Sequence, residues 1–259
     1  MTATTAWIAY RRPRPGARLR LFCFPYAGGG AAIYRSWVDE MPPEIEVCPV
    51  QLPGREQRLG EKPFTRIAPL VEALAAHLEP HLDGLPSAFF GHSLGAIVAY
   101  ELTHRLSRRL RPTHLMVSAR RAPQLRYEGR TTYDLPPVEF RARLRELDGT
   151  PREVLDHEEL MELMEPLLRA DFELVDTYSP VGRPPLECPV TAFGGAADGE
   201  VERQELAAWE KVTTGPFLLR IFSGGHFYLH QQREPLIAAV IESLSRQAGS
   251  DRIETGAAR

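Results

Sequence analysis

Residues Ala88 to Tyr100 constrain the fold more than any other stretch of the chain. Ala88-Phe89-Phe90 reads as a buried strand, Gly91-His92-Ser93-Leu94-Gly95 as a turn, and Ala96-Ile97-Val98-Ala99-Tyr100 as a helix rich in small residues. A strand that turns this abruptly into a helix crowds its own backbone. Glycines on either side of the serine leave room where a Cβ would strike neighbouring main chain. The serine hydroxyl is then held above the sheet edge, at the positive end of a helix. A glycine-flanked turn serine without chemistry would share the pentapeptide, but not its strand-turn-helix setting.

The same alternation runs along the chain. Leu19–Phe24, Glu46–Val50, Ala88–Phe90, His114–Ser118, Val190–Phe193 and Phe217–Phe222 have the pattern of buried strands. Helical patterns lie between and after them at Ile33–Val38, Ile67–Leu82, Leu94–Leu106, Glu205–Val212 and Pro235–Leu244. This order predicts an α/β class fold, a mostly parallel sheet flanked by helices. From 120 to 180 no strand pattern occurs. Phe140, Leu144 and Leu147 have helical spacing, and Thr150-Pro151-Arg152-Glu153 has the form of a capping box with proline at the first helical position. The expected organisation is a core from 1–119 and 181–247, a helical lid at 120–180, and a disordered tail at 248–259.

Composition removes several function classes. With 43% hydrophobic and 25% charged residues in 259, the chain has the apolar content of a folded domain. No apolar run is long enough to span a bilayer, and the first residues lack the pattern of a secretory signal. A formal net charge of -3 does not suggest a nucleic-acid surface. Cys23, Cys48 and Cys188 are widely spaced, with no CxxC or paired-histidine spacing, so buried thiols in a reducing, cytoplasmic setting are expected and a metal is not. No cofactor or membrane partner is expected, and a monomer is.

A serine needs a base, and the base an orienting acid. Of eight histidines, His226 follows a strand across the Ser223-Gly224-Gly225 turn, where catalytic groups gather in open α/β sheets. His230 is the reserve candidate. His92, beside the serine, should point away from it. The acid should leave the preceding strand, which runs into Gly194-Gly195-Ala196-Ala197-Asp198-Gly199-Glu200. Asp198 is preferred for its short side chain and small neighbours, with Glu200 and then Asp176 as alternatives. A tetrahedral intermediate needs two backbone donors. Leu94, after the serine, supplies one. Phe24-Pro25-Tyr26-Ala27-Gly28-Gly29-Gly30 supplies the other, from Ala27 or Tyr26.

Phe24-Pro25-Tyr26-Ala27-Gly28-Gly29, Gln51-Leu52-Pro53-Gly54-Arg55-Glu56, Gly91-His92-Ser93-Leu94-Gly95 and Gly224-Gly225-His226-Phe227 occur in one order across nearly the whole chain. Together they resemble the stand-alone type II thioesterases of polyketide synthase and nonribosomal peptide synthetase pathways. The resemblance implies an α/β-hydrolase fold with a helical lid, and hydrolysis of acyl groups from the phosphopantetheine arms of acyl or peptidyl carrier proteins. It also implies Ser93, Asp198 and His226 as the triad and Ala27 and Leu94 as the oxyanion hole. A medium-chain fatty acyl thioesterase, a general carboxylesterase and a catalytically inactive binding protein of the same fold are the alternatives. Gln51–Glu56 has no derivable catalytic role, and Arg55 or Glu56 could as well tie down a neighbouring loop as touch substrate.

In the lid, Met161, Met164, Leu167 and Leu168 share a broad apolar face expected to close over the acyl chain and its arm. Arg120, Arg121, Arg126 and Arg130 are expected to offer basic surface to an acidic carrier.

Overall fold

The computed structural model describes residues 5–125, 129, 131–150 and 152–256, with side chains described through 246. Arg126, Arg130 and Pro151 lie outside the described residues. Six strands form one sheet: β1 (Leu19–Phe24), β2 (Ile45–Pro49), β3 (Ser87–His92), β4 (His114–Ser118), β5 (Val190–Gly195) and β6 (Phe217–Phe222). Their order is β2-β1-β3-β4-β5-β6, and every pairing is parallel. Nine helices accompany them among the described residues: α1 (Arg35–Glu40), α2 (Ile67–Leu82), α3 (Leu94–Arg105), α4 (Pro137–Leu147), α5 (Arg152–Leu155), α6 (Glu158–Asp176), α7 (Arg203–Ala207), α8 (Tyr228–Gln231) and α9 (Arg233–Gly256).

The period-two alternation of strand side chains divides the core into two layers. Phe22, Phe24 and Phe89 point into one layer with Leu74 and Leu78 of α2 and Val98 and Leu102 of α3. Leu21, Cys23 and Phe90 point into the other, with Trp37 of α1 and Leu236 and Val240 of α9. Both sheet faces are thus covered, which is why the central strands read as continuous apolar runs. Cys23 and Cys48 are buried, and burial pushes both thiols up, Cys48 to about 12.

Two helical segments differ from the sequence expectation. Ile33–Val38 is divided between a 3-10 turn at Ala31–Tyr34 and α1, while Glu205–Val212 is divided between α7 and a 3-10 turn at Ala208–Val212. Helix α7 begins earlier because Glu202 and Glu205 form a reciprocal capping box that satisfies its first amides. Helix α9 runs to Gly256, through much of the segment expected as a tail.

Helices α4, α5 and α6 occupy the connection from β4 to β5. They close a small core of their own from Phe140, Leu144, Leu155, Met161 and Leu168. His157 caps α6, its side chain accepting from the Leu160 amide. Because all six strands are parallel, the loops leaving β1, β3, β5 and β6 emerge at one edge of the sheet. The inserted helices stand over that edge.

Candidate active site

Ser93 sits between β3 and α3 at φ +53°, ψ -111°, a conformation an L-residue rarely adopts. Such a residue costs on the order of 1–3 kcal/mol and persists only where its surroundings enforce it. Here the enforcing groups are close. A Cβ on Gly91 would collide with the Gly95 carbonyl, and one on Gly95 with the Phe24 carbonyl. The Ser93 amide donates to the Ser118 carbonyl at 2.8 Å, tying the turn to the end of β4.

His92 lies behind the turn. Its Nδ1 is 2.8 Å from Ser118 Oγ, which is 2.7 Å from the Tyr228 hydroxyl. The ring is wholly buried, and desolvation, reinforced by His226 and His230, holds its pKa well below the usual imidazole range. His92 is therefore a neutral strut between the serine turn, β4 and α8.

His226 leaves β6 through Gly224, whose φ of +112° suits glycine, and lines the same cleft as Ser93. Its Nδ1 lies 3.0 Å from Asp198 Oδ2 and 3.2 Å from Oδ1. The Asp198 side chain is wholly buried, while that of His226 keeps 11% exposure. Asp198 Oδ1 also accepts from the amides of Glu200 at 2.8 Å and Val201 at 3.2 Å, so the loop itself holds the carboxylate. Among the described residues, no hydrogen bond joins Ser93 to His226, although both line the one cleft.

The alternative groups are engaged elsewhere. Glu200 pairs with Arg143 of α4 at 2.6 Å. Asp176 accepts from the amides of Thr132 and Tyr133, and burial raises its pKa although those amides oppose the shift. His230 Nε2 is 2.9 Å from the Tyr26 hydroxyl.

On the far side of the cleft, the Gly29 amide donates to the Tyr26 carbonyl at 2.9 Å and closes a turn around Ala27. Among the described residues, neither the Ala27 nor the Leu94 amide donates to a protein acceptor. Ala27 and Ser93 line the cleft together, and Leu94 opens α3. Two free amides thus flank the serine.

Of the four lid residues singled out by sequence, Leu168 lines the cleft. Met161 is buried in the lid's own core, Met164 packs on that core, and Leu167 lies against Gly54. The apolar face of α6 is thus shared between the lid's interior, the 51–56 segment and the cleft. Phe172 and Val175 of α6, Leu144 and Leu147 of α4, and Phe227 supply the remaining apolar lining. Phe172 and Val175 fall outside the stripe chosen from sequence; continuing the helical period by one turn and then a second would have found them. Arg121 is tied to Glu205 at 3.1 Å and to the Glu200 carbonyl at 2.9 Å, and Arg120 also lines the cleft.

The 51–56 segment proves to be a clamp. The Arg55 guanidinium meets the Asp171 carboxylate of α6 in a fork, both bonds 2.8 Å, and donates to the Gly29 carbonyl at 3.0 Å. Glu56 accepts from the Ala32 amide at 2.9 Å and from the Tyr10 hydroxyl at 3.2 Å.

Comparison with known proteins agrees with this geometry. A family profile described as "Thioesterase domain" matches residues 19–247. The chain is 42% identical to the gramicidin S biosynthesis protein GrsT of Aneurinibacillus migulanus over 92% of this chain and 93% of that one. It is 41% identical to the thioesterase PikA5 of Streptomyces venezuelae, over 87% and 81% of the two chains. The structure of the type II thioesterase BorB, from the borrelidin biosynthetic cluster, superposes with a TM-score of 0.85 at 38% identity, covering 93% of this chain and 99% of that one.

Proposed function

The chain belongs to the thioesterase family, whose profile spans its whole sheet, and on that premise we propose that Ser93, His226 and Asp198 are its nucleophile, base and orienting acid. Their task is to hydrolyse acyl thioesters carried on the phosphopantetheine arms of acyl or peptidyl carrier proteins. The observation that carries the reading is the gathering of a strained serine, a carboxylate-bound imidazole and the unengaged Ala27 amide on one cleft, with the unengaged Leu94 amide directly following the serine.

The chemistry follows from the placement. Ser93 Oγ attacks the thioester carbonyl as His226 takes its proton, and the carbonyl oxygen becomes an oxyanion received by the Ala27 and Leu94 amides. The C–S bond then breaks, the thiol leaves with the proton from His226, and the acyl group remains on Ser93. Water, deprotonated by His226, attacks that ester; the intermediate expels Ser93 Oγ, which recovers its proton, and a carboxylic acid departs. Asp198 fixes the imidazole tautomer and stabilises the imidazolium formed twice per cycle.

The carrier-bound substrate is supported by the relatives, which include a gramicidin S biosynthesis protein and a thioesterase of a borrelidin cluster. An editing role, clearing stalled or misprimed acyl groups from such synthases, is supported by the likeness to a type II thioesterase of a biosynthetic cluster. Intact-mass spectrometry of an acylated carrier protein, with and without the enzyme, tests it. Loss of the acyl mass with retention of the phosphopantetheine mass is the expected result. An unchanged acyl carrier, alongside rapid hydrolysis of acyl-CoA or p-nitrophenyl esters, would overturn the carrier assignment.

A further inference from the structure

Asp171 is a carboxylate in the middle of a lid helix, with no exposed side-chain surface. A buried charge of this kind is costly unless paired and fully hydrogen-bonded. It accepts from both terminal nitrogens of Arg55 and, at 2.7 Å, from the amide of Gly28, the residue immediately after Ala27. Arg55 in turn holds the Gly29 carbonyl. We infer that the Asp171–Arg55 pair positions the Ala27 oxyanion donor, making the lid helix part of the machinery that stabilises the transition state.

Peptide geometry supports the step from contact to function. In a planar trans peptide the C=O and N–H point in opposite directions. The Tyr26 carbonyl is turned to the Gly29 amide, so the Ala27 N–H of the same unit faces away from that bond. The following unit is fixed by Gly28 N–H to Asp171, and the Gly29 carbonyl is fixed by Arg55. The four consecutive peptide units from Tyr26 to Gly30 are each held by one of these bonds, so the donor has no freedom to swing out of line. Gly28 takes φ +78°, which allows the backbone to present its amide to the lid.

Charge matters as well as position. A bare carboxylate bonded beside Ala27 would place negative charge close to where the reaction develops it. Arg55 cancels that charge, so the clamp orients the donor without opposing the oxyanion.

This inference rests on the proposed catalytic reading, and its test separates the two. Arg55→Gln, Asp171→Asn and the double variant would be assayed for kcat and KM on an acyl carrier. Affinity for an acyl trifluoromethyl ketone, whose adduct with Ser93 bears an oxyanion, is the second readout. Arg55→Gln leaves the carboxylate uncompensated and should lower kcat by about ten- to a hundredfold, with KM changed less than about threefold and ketone affinity falling in parallel. Asp171→Asn should be milder. The double variant, neutral again, should recover part of the loss while melting below wild type. Variants that melt lower but keep wild-type kcat and ketone affinity would overturn the inference. If Arg55→Gln does not fold, the double variant decides alone, with wild-type kcat and affinity counting against. A fully active Ser93→Ala would instead defeat the catalytic reading, whatever the clamp does.

Discussion

Arg143 of α4 lies 2.6 Å from the Glu200 carboxylate, so the inserted helices grip the loop that carries Asp198 just two residues beyond it. The two acids of that loop are thereby separated in role. Asp198 turns inward to His226, while Glu200 turns outward to the lid. Asp198→Asn should therefore reduce kcat by about 10⁴-fold, because the ring then adopts the wrong tautomer. Glu200→Gln should cost less than about tenfold, since its pair is partly exposed and screened. Steady-state kinetics on one acyl thioester compares them directly, and the reverse ranking would reassign the acid.

Ser93→Ala should lower hydrolysis by about a thousandfold or more without loss of structure. Ser93→Gly should be equally inactive but melt higher than the alanine variant, because glycine tolerates φ +53°. Relief of about 1 kcal/mol would raise Tm by roughly 2–4 °C for a chain of this size. Differential scanning calorimetry of the two inactive variants reads that difference free of any effect on turnover.

Gly95→Ala should cost at least about 3 kcal/mol, with loss of soluble protein as the extreme result. The added methyl meets the Phe24 carbonyl, part of a sheet strand that has no space to retreat. Gly199→Ala is the control, since its Cβ would meet nothing within 4 Å. Urea denaturation midpoints should separate the two clearly.

Stability should fall on acidification in a window set by the histidines whose pKa burial lowers, His81, His92, His104 and His230. Burial lowers the pKa of His104 to about 4 and holds that of His92 well below 6.5. Below the unfolded value of about 6.5 the unfolded chain binds protons that the folded chain refuses, so stability declines as pH falls from about 6.5 towards 4. His104→Gln should flatten that slope without changing Tm at pH 8 by a comparable amount. Thermal melts at several pH values measure it; an unaltered slope would assign the acid loss to other groups.

Much of this arrangement was legible before any coordinates. Leu19–Phe24, His114–Ser118 and Phe217–Phe222 are strands with the very ends their apolar runs implied: β4 is buried at every position, while the edge strand β6 is half-buried throughout and packs side chains on both layers. The placement of Ser93 at the strand-to-helix turn and of His226 beyond β6 could be read from glycines that relieve local crowding, a constraint written in adjacent residues. The Arg55–Asp171 fork could not. Its members are separated by 116 positions, and a lone aspartate in an amphipathic helix looks like any solvated one until the fold brings its partner to it. The lid stripe was half legible for the same reason: periodicity shows which face of α6 is apolar, but not which of three neighbours each residue meets.

A Cβ on Gly195 would collide with the Gly225 carbonyl, and the Ala197 amide bonds the Gly224 carbonyl at 2.9 Å. The loops bearing Asp198 and His226 are thus in main-chain contact, with no side chain interposed as a spacer. Their separation has the stiffness of two abutting backbones rather than of packed rotamers. Substitutions that soften the lid or enlarge the cleft can then redirect which acyl chain is accepted while the spacing of Asp198 and His226 is kept. For anyone altering the substrate range of this enzyme, Gly195 and the Gly224-Gly225 turn mark the boundary between what can be varied and what cannot.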